Sequence, residues 1–160
     1  MTITPLSQRN PAWASLMLGT APKVSRITIG SDGCALVSAC MLGNYLTGKN
    51  YTPKTLNEEL NRRGGYAKNR QGYKCLIIWQ KVAEIYGIKY LGSRTYNNIK
   101  ASWIIYGKRL PLIVEGSAPT IGAVQHFRLF IGGQKQNDPW TGATISTKVY
   151  NARSYREFSR

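Results

Sequence analysis

The sequence predicts an α+β domain with its helices first and its strands later, and three observations carry that reading. An almost wholly apolar segment, "CALVSACMLGNYL" from residue 34, follows a Gly-containing loop. A capped amphipathic segment, "YTPKTLNEELNRRGG", comes next. Beyond residue 109 the chain turns to short β-rich runs with partial alternation, as in an antiparallel sheet. Helices followed by strands give a mixed domain with segregated layers. At 160 residues and 42% hydrophobic content, a single domain over 1–160 is expected, long enough to bury a core without staples.

Taken in order, residues 1–33 read as an irregular lead-in with turn signals at Pro5, Pro11, Pro22 and Gly30. Residues 34–109 read as mainly helical and 110–160 as mainly β. The first helix, 34–47, is apolar on nearly every side, so it belongs in the middle of the domain, with Gly48 as its stop. In the second, Thr52 can cap, Pro53 fits the first helical position, Leu56 and Leu60 share a face, and Gly64–Gly65 end it. A third helix is expected near 74–86, from the spacing of Leu76, Ile77, Trp79, Val82, Ala83 and Tyr86. Strands are expected at "LPLIVEG" (110–116), "HFRLFIGG" (126–133) and "ATISTKVY" (143–150).

Charge narrows the partners. Twenty-two Lys and Arg against seven Asp and Glu give +15, and residues 61–110 hold eleven bases and one acid, Glu84. Such a field favours an anionic partner: nucleic acid, a wall bearing acidic polymers, or an acidic protein surface. Tyr66, Tyr73, Tyr86, Tyr90, Tyr96 and Tyr106 lie among those bases and would suit stacking on single strands, although no nucleic-acid motif accompanies them. No apolar run approaches the roughly 18 residues of a membrane span. The start lacks a basic segment followed by an apolar one, so no secretory signal is expected. The protein is then expected to be made in the cytoplasm and, if it acts on a wall, to be virion-associated or released.

Cys34, Cys40 and Cys75 show no C-x-x-C spacing, and His126 is the sole histidine. A zinc site would need all four to converge, so neither a metal nor another cofactor is expected, and a disulfide scaffold is not supported. Thiol catalysis has other needs: a nucleophile, a base, a group orienting the base and donors for an oxyanion. Cys34 opens a helix, where the backbone dipole favours a thiolate. His126 is the available imidazole. Asn137 and Asp138, in the turn after the His-bearing strand, offer an amide or a carboxylate to fix its tautomer. Asp32 would raise the thiol's pKa, so dipole and imidazolium must outweigh it. Cys40 and Cys75 read as packed thiols.

On those residues the chain resembles the peptidase C39-like family, papain-like cysteine peptidases related to the bacteriocin-processing domain of peptide exporters. The blocks "SQRNPAWASLMLGT", "TIGSDGCALVSACMLGNYL", "YTPKTLNEELNRRGGY", "CLIIWQKVAEIYGIKY", "LPLIVEG", "HFRLFIGG" and "NDPWTG" occur in family order over nearly the whole chain. The resemblance implies a papain-like fold, with a buried Cys-bearing helix packed on a C-terminal antiparallel sheet. It implies Cys34 as nucleophile, His126 as general base and acid, Asp138 as the orienting carboxylate and Gln8 as oxyanion donor. Gln8 lies much farther upstream of the cysteine than in the exporter peptidases, so the intervening loop must fold back. Gln125 stands where many relatives have glycine, and Asn10 where aspartate is common. The implied activity is hydrolysis of an amide through a thioester, with peptide or peptidoglycan-peptide substrates. The alternative is a papain-like binding or structural module, such as a virion component, whose basic surface holds nucleic acid or another polyanion.

Overall fold

A computed structural model describes residues 2–95, 111–118, 121–146 and 151–160. The fold is α+β. Among the described residues, four α-helices, α1 (Ile29–Asp32), α2 (Cys34–Thr47), α3 (Pro53–Arg62) and α4 (Trp79–Tyr86), accompany a hairpin and a larger sheet. The hairpin joins β1 (Tyr66–Lys68) to β2 (Lys74–Ile77). The sheet comprises β3 (Lys89–Thr95), β4 (Leu112–Ala118), β5 (Ala123–Gly132), β6 (Lys135–Asp138), β7 (Ala143–Ser146) and β8 (Asn151–Ser159). Its six strands run in the order β3-β8-β4-β5-β6-β7 with every pair antiparallel.

Helix α2 is central because its sequence leaves it no polar stripe. Leu36 through Gly43 are buried without interruption, and the helix packs on β4, β5 and β6 as well as on α3 and α4. Gly48, at φ 73°, ends it in the left-handed conformation that glycine adopts without strain. Gly43 sets the spacing to α4: a Cβ there would come within 2.2 Å of the Tyr86 ring. The second helix follows expectation, with Pro53 in its first turn and the Thr52 hydroxyl accepting from the Thr55 N–H. Leu56 and Leu60 are fully buried on its inner face.

The structure departs from the expected layout in the middle of the chain. Among the described residues 34–95, α2, α3 and α4 are joined by β1, β2 and β3, strands the sequence reading did not place there. The third helix begins at Trp79 rather than 74, because residues 74–77 pair with β1 and only then does the chain turn helical. The lead-in also contains α1, closed by a reciprocal Thr28–Ser31 capping box. Leu110 and residues 147–150, placed by sequence in strands, lie outside the described residues, as do Tyr96 and Tyr106. Of the other tyrosines among the bases, Tyr66 and Tyr86 are buried in the core and Tyr90 packs on Phe158 at 5.0 Å. Those three form no exposed stacking platform. No helix among the described residues is long and apolar enough to cross a membrane.

Candidate active site

Cys34 is the first residue of α2, reached through Gly33 directly from α1. It is half-buried and lines a cleft of about 420 Å³ together with His126 and Gln8. Burial dominates its chemistry and pushes the thiol up to about 11. The backbone N–H groups of Phe127, Ala35 and Cys34 itself pull the other way, and the charge of Asp32 raises it further. Those amide donors do not outweigh burial and Asp32, so the thiol is held above its ordinary value.

His126 lies in β5, opposite Gly116 of β4, and is 3% exposed. Its Nε2 meets Asp138 Oδ1 at 2.6 Å, and Asp138 is itself buried at the end of β6. The pairing of Leu129 with Asn137 sets Asp138, at the end of β6, level with Arg128 of β5, two residues from His126 and on the same face as it. Burial works against the Asp138 charge. The His126 hydrogen bond, the Arg128 guanidinium and the Trp140 N–H more than offset it, so its carboxyl is held below the ordinary value. A carboxylate can only accept, so His126 carries its proton on Nε2 and Nδ1 is the basic nitrogen of the ring.

Between the two turn candidates the structure decides plainly. Asn137 donates to the Ile3 carbonyl at 2.8 Å and accepts from Thr144, tying the N-terminal segment to the sheet. Asp138 holds the histidine. Arg128, absent from the sequence reading, contacts Asp138 Oδ2 at 3.2 Å and is as buried as its partner. The available signal was position: Arg128 follows His126 by two along a strand, so both side chains leave the same face.

Gln8 reaches the cleft because the lead-in folds back on itself. Leu18 N–H donates to the Ile27 carbonyl, Ile29 to Leu16 and Gly30 to Ala14, so residues 14–30 form an antiparallel return. Gln8 N–H donates to the Pro139 carbonyl at 2.8 Å, Trp13 Nε1 donates to the Ser7 carbonyl, and Arg9 stacks over Trp140 at 4.9 Å. Gln8 is thereby clamped between the "NDPWTG" turn and α1. Its Nε2 donates to the Gly30 carbonyl at 2.9 Å, which leaves the second hydrogen of that amide for another acceptor. At Gly30 and Gly33 the chain itself occupies the space a side chain would need. A Cβ on Gly30 would meet the Ala14 carbonyl at 2.8 Å, and one on Gly33 the Ile29 carbonyl at 2.3 Å.

The remaining cysteines differ. Cys40 is buried in α2, its thiol donating to the Tyr51 carbonyl at 3.0 Å and pushed up to about 12 by burial. Cys75 is buried against the cleft wall, and all three thiols are unbridged. Among the described residues no cluster of His, Cys, Asp and Glu could hold a metal ion. Gln125 is exposed and donates to Glu115 at 2.7 Å. Glu115 also bonds Ser154 and pairs with Arg156, whose guanidinium lies over the Trp79 and Phe127 rings at the far wall of the cleft.

No protein-family model, curated protein or solved structure matches the chain.

Proposed function

We propose that the protein is a cysteine peptidase or amidase of papain-like, C39-like type, with Cys34 as nucleophile. One observation carries the reading: Cys34, His126 and Gln8, from three distant parts of the sequence, line one cleft, and Asp138 is bonded to Nε2 of His126. Core packing alone gives no reason for a half-buried thiol, an imidazole of fixed tautomer and a buried primary amide to converge.

The raised thiol pKa shapes the mechanism. Cys34 attacks as a thiol, and its proton passes to Nδ1 of His126 as sulfur bonds to the substrate carbonyl carbon. Asp138, held ionised by Arg128, stabilises the imidazolium so formed. The Cys34 N–H and the second Nε2 hydrogen of Gln8 stabilise the oxyanion. The imidazolium then protonates the leaving amine as the C–N bond breaks, leaving a thioester on Cys34. Water, deprotonated by His126, attacks the thioester carbon; the C–S bond breaks and the thiol returns.

Peptidoglycan stem or bridge peptides are the substrate class we favour, because a chain of charge +15 is drawn to a wall bearing acidic polymers. Lys68, Arg70 and Lys74 are exposed on the β1–β2 hairpin, whose Asn69 borders the cleft. The deciding experiment is digestion of purified peptidoglycan and of soluble peptides by wild type and Cys34→Ala, with products read by mass spectrometry. New amine and carboxyl termini released only by wild type are expected. Identical product lists from the two proteins would refute the hydrolase reading.

A further inference from the structure

The chain carries few acids, and most of those described are matched to cations. Glu59 pairs with Arg62 and Arg63, Glu84 with Lys81, Glu115 with Arg156, and Asp138 with Arg128 and His126. Asp32, Glu58 and Glu157 make no ion pair among the described residues, and of those three Asp32 alone lines the cleft. Asp32 is exposed, two positions before Cys34. Its carboxylate is held in place: the Ser31 hydroxyl donates to Oδ2 at 2.5 Å, and the Thr28–Ser31 capping box fixes the turn that carries both.

An acid in this position works against the nucleophile beside it, since its charge raises the thiols of Cys34 and Cys75. It stabilises no internal cation. In a protein with 22 Lys and Arg, a carboxylate so placed finds its counter-charge in what enters the cleft. Leu18, Ile27 and Ile77 line the same cleft and offer an apolar wall for a methylene stem.

We infer that Asp32 is the recognition site for a primary ammonium group, so that the cleft takes peptides bearing a free amine close to the scissile amide. The inference rests on the reading of Cys34 as nucleophile. It adds selectivity with a coupling: an ammonium on Asp32 cancels the charge that opposes Cys34, so the matching substrate also favours its own attack. The amine's source is either a side chain on a methylene stem or a peptide N-terminus, and the apolar wall favours the former.

Methanethiosulfonate reagents of similar size and different charge read the site without turnover. Wild type and Asp32→Asn are treated with the aminoethyl (cationic) and hydroxyethyl (neutral) reagents at low salt, and the Cys34 adduct is followed by peptide mass mapping. The cation-to-neutral rate ratio is expected to fall about threefold to fivefold in Asp32→Asn, as for loss of one nearby charge in a partly aqueous cleft. Asp32→Glu should keep most of it. A ratio unchanged in Asp32→Asn overturns the inference.

In a second arm, peptides with a lysine, an acetyl-lysine or an unblocked N-terminus compete with the hydroxyethyl reagent for Cys34. Protection lost on acetylating the lysine, and lost in Asp32→Asn, assigns the side-chain amine; protection that follows the unblocked N-terminus assigns that source. Equal protection by amine-bearing and fully acetylated peptides overturns the inference. The two readings fail separately. Without hydrolase activity, the charge ratio and amine-dependent protection still persist; without Asp32 recognition, hydrolysis still depends on Cys34.

Discussion

At the scale of single residues, the centre of the site is a proton inventory. Cys34 holds its proton up to about 11, above the ordinary thiol, so its resting alkylation by iodoacetamide should keep climbing from pH 7 toward that value instead of levelling off near neutrality. A plateau by pH 8 would show that the histidine already holds a thiolate in the resting state. Asp138 shifts oppositely. Its carboxyl is depressed in the folded protein, so it contributes stability above the ordinary carboxylate value, and that contribution is lost as pH falls through the depressed one. Asp138→Ala removes a buried carboxylate that both His126 and Arg128 contact and should cost roughly 3–5 kcal/mol at neutral pH, with a smaller difference from wild type in acid. Urea denaturation at the two pH values checks both claims. The contact between Asp138 and His126 was legible because strand alternation and a tight connection leave few alternatives. Arg128 was not: an arginine reads as surface until its partner is known to be buried.

At the scale of elements, α2 and the lead-in illustrate what a one-dimensional pattern can and cannot carry. Helix α2 could be read to the residue, since an apolar run with no polar stripe has one place to go and Gly48 stops it. The β1–β2 hairpin and β3 could not: β2 is short and its Leu76 and Ile77 also suit helix spacing, while β3 has only Tyr90 and Leu91 as apolar residues and shows no clean alternation. Long-range pairing decided them. The same applies to Gly43, whose role lies in a contact with α4 that the helix's own sequence does not announce. Gly43→Ala gains about 1 kcal/mol of helix propensity, yet drives a methyl to 2.2 Å from the Tyr86 ring, where overpacking costs roughly 1–3 kcal/mol. Net destabilisation is expected. Combining it with Tyr86→Leu should recover part of the loss in a double-mutant cycle, whereas strict additivity would mean that the two side chains do not meet.

At the scale of the whole molecule, the charge and the proposed chemistry are separable, and salt is the means to separate them. The proposed chemistry lies in a partly desolvated cleft where the Asp138 contacts span 2.6–3.2 Å, distances over which mobile ions screen little. The proposed attraction to an acidic wall would be spread over the surface of a +15 chain and act across distances comparable to the Debye length, about 10 Å at 0.1 M and 3 Å at 1 M. Raising salt from 50 mM to 500 mM should therefore release the protein from purified walls in a sedimentation assay while leaving kcat on a small uncharged peptide within about twofold. Replacing Lys68, Arg70 and Lys74 with glutamine should mimic part of that loss at low salt, since all three are exposed on one hairpin and the changes disturb no core contact. Equal salt sensitivity in the two assays would instead place the basic surface inside the catalytic cycle. Retention on polyanionic nucleic acid but not on walls would move the partner, leaving the chemistry of Cys34 to be judged by its own test.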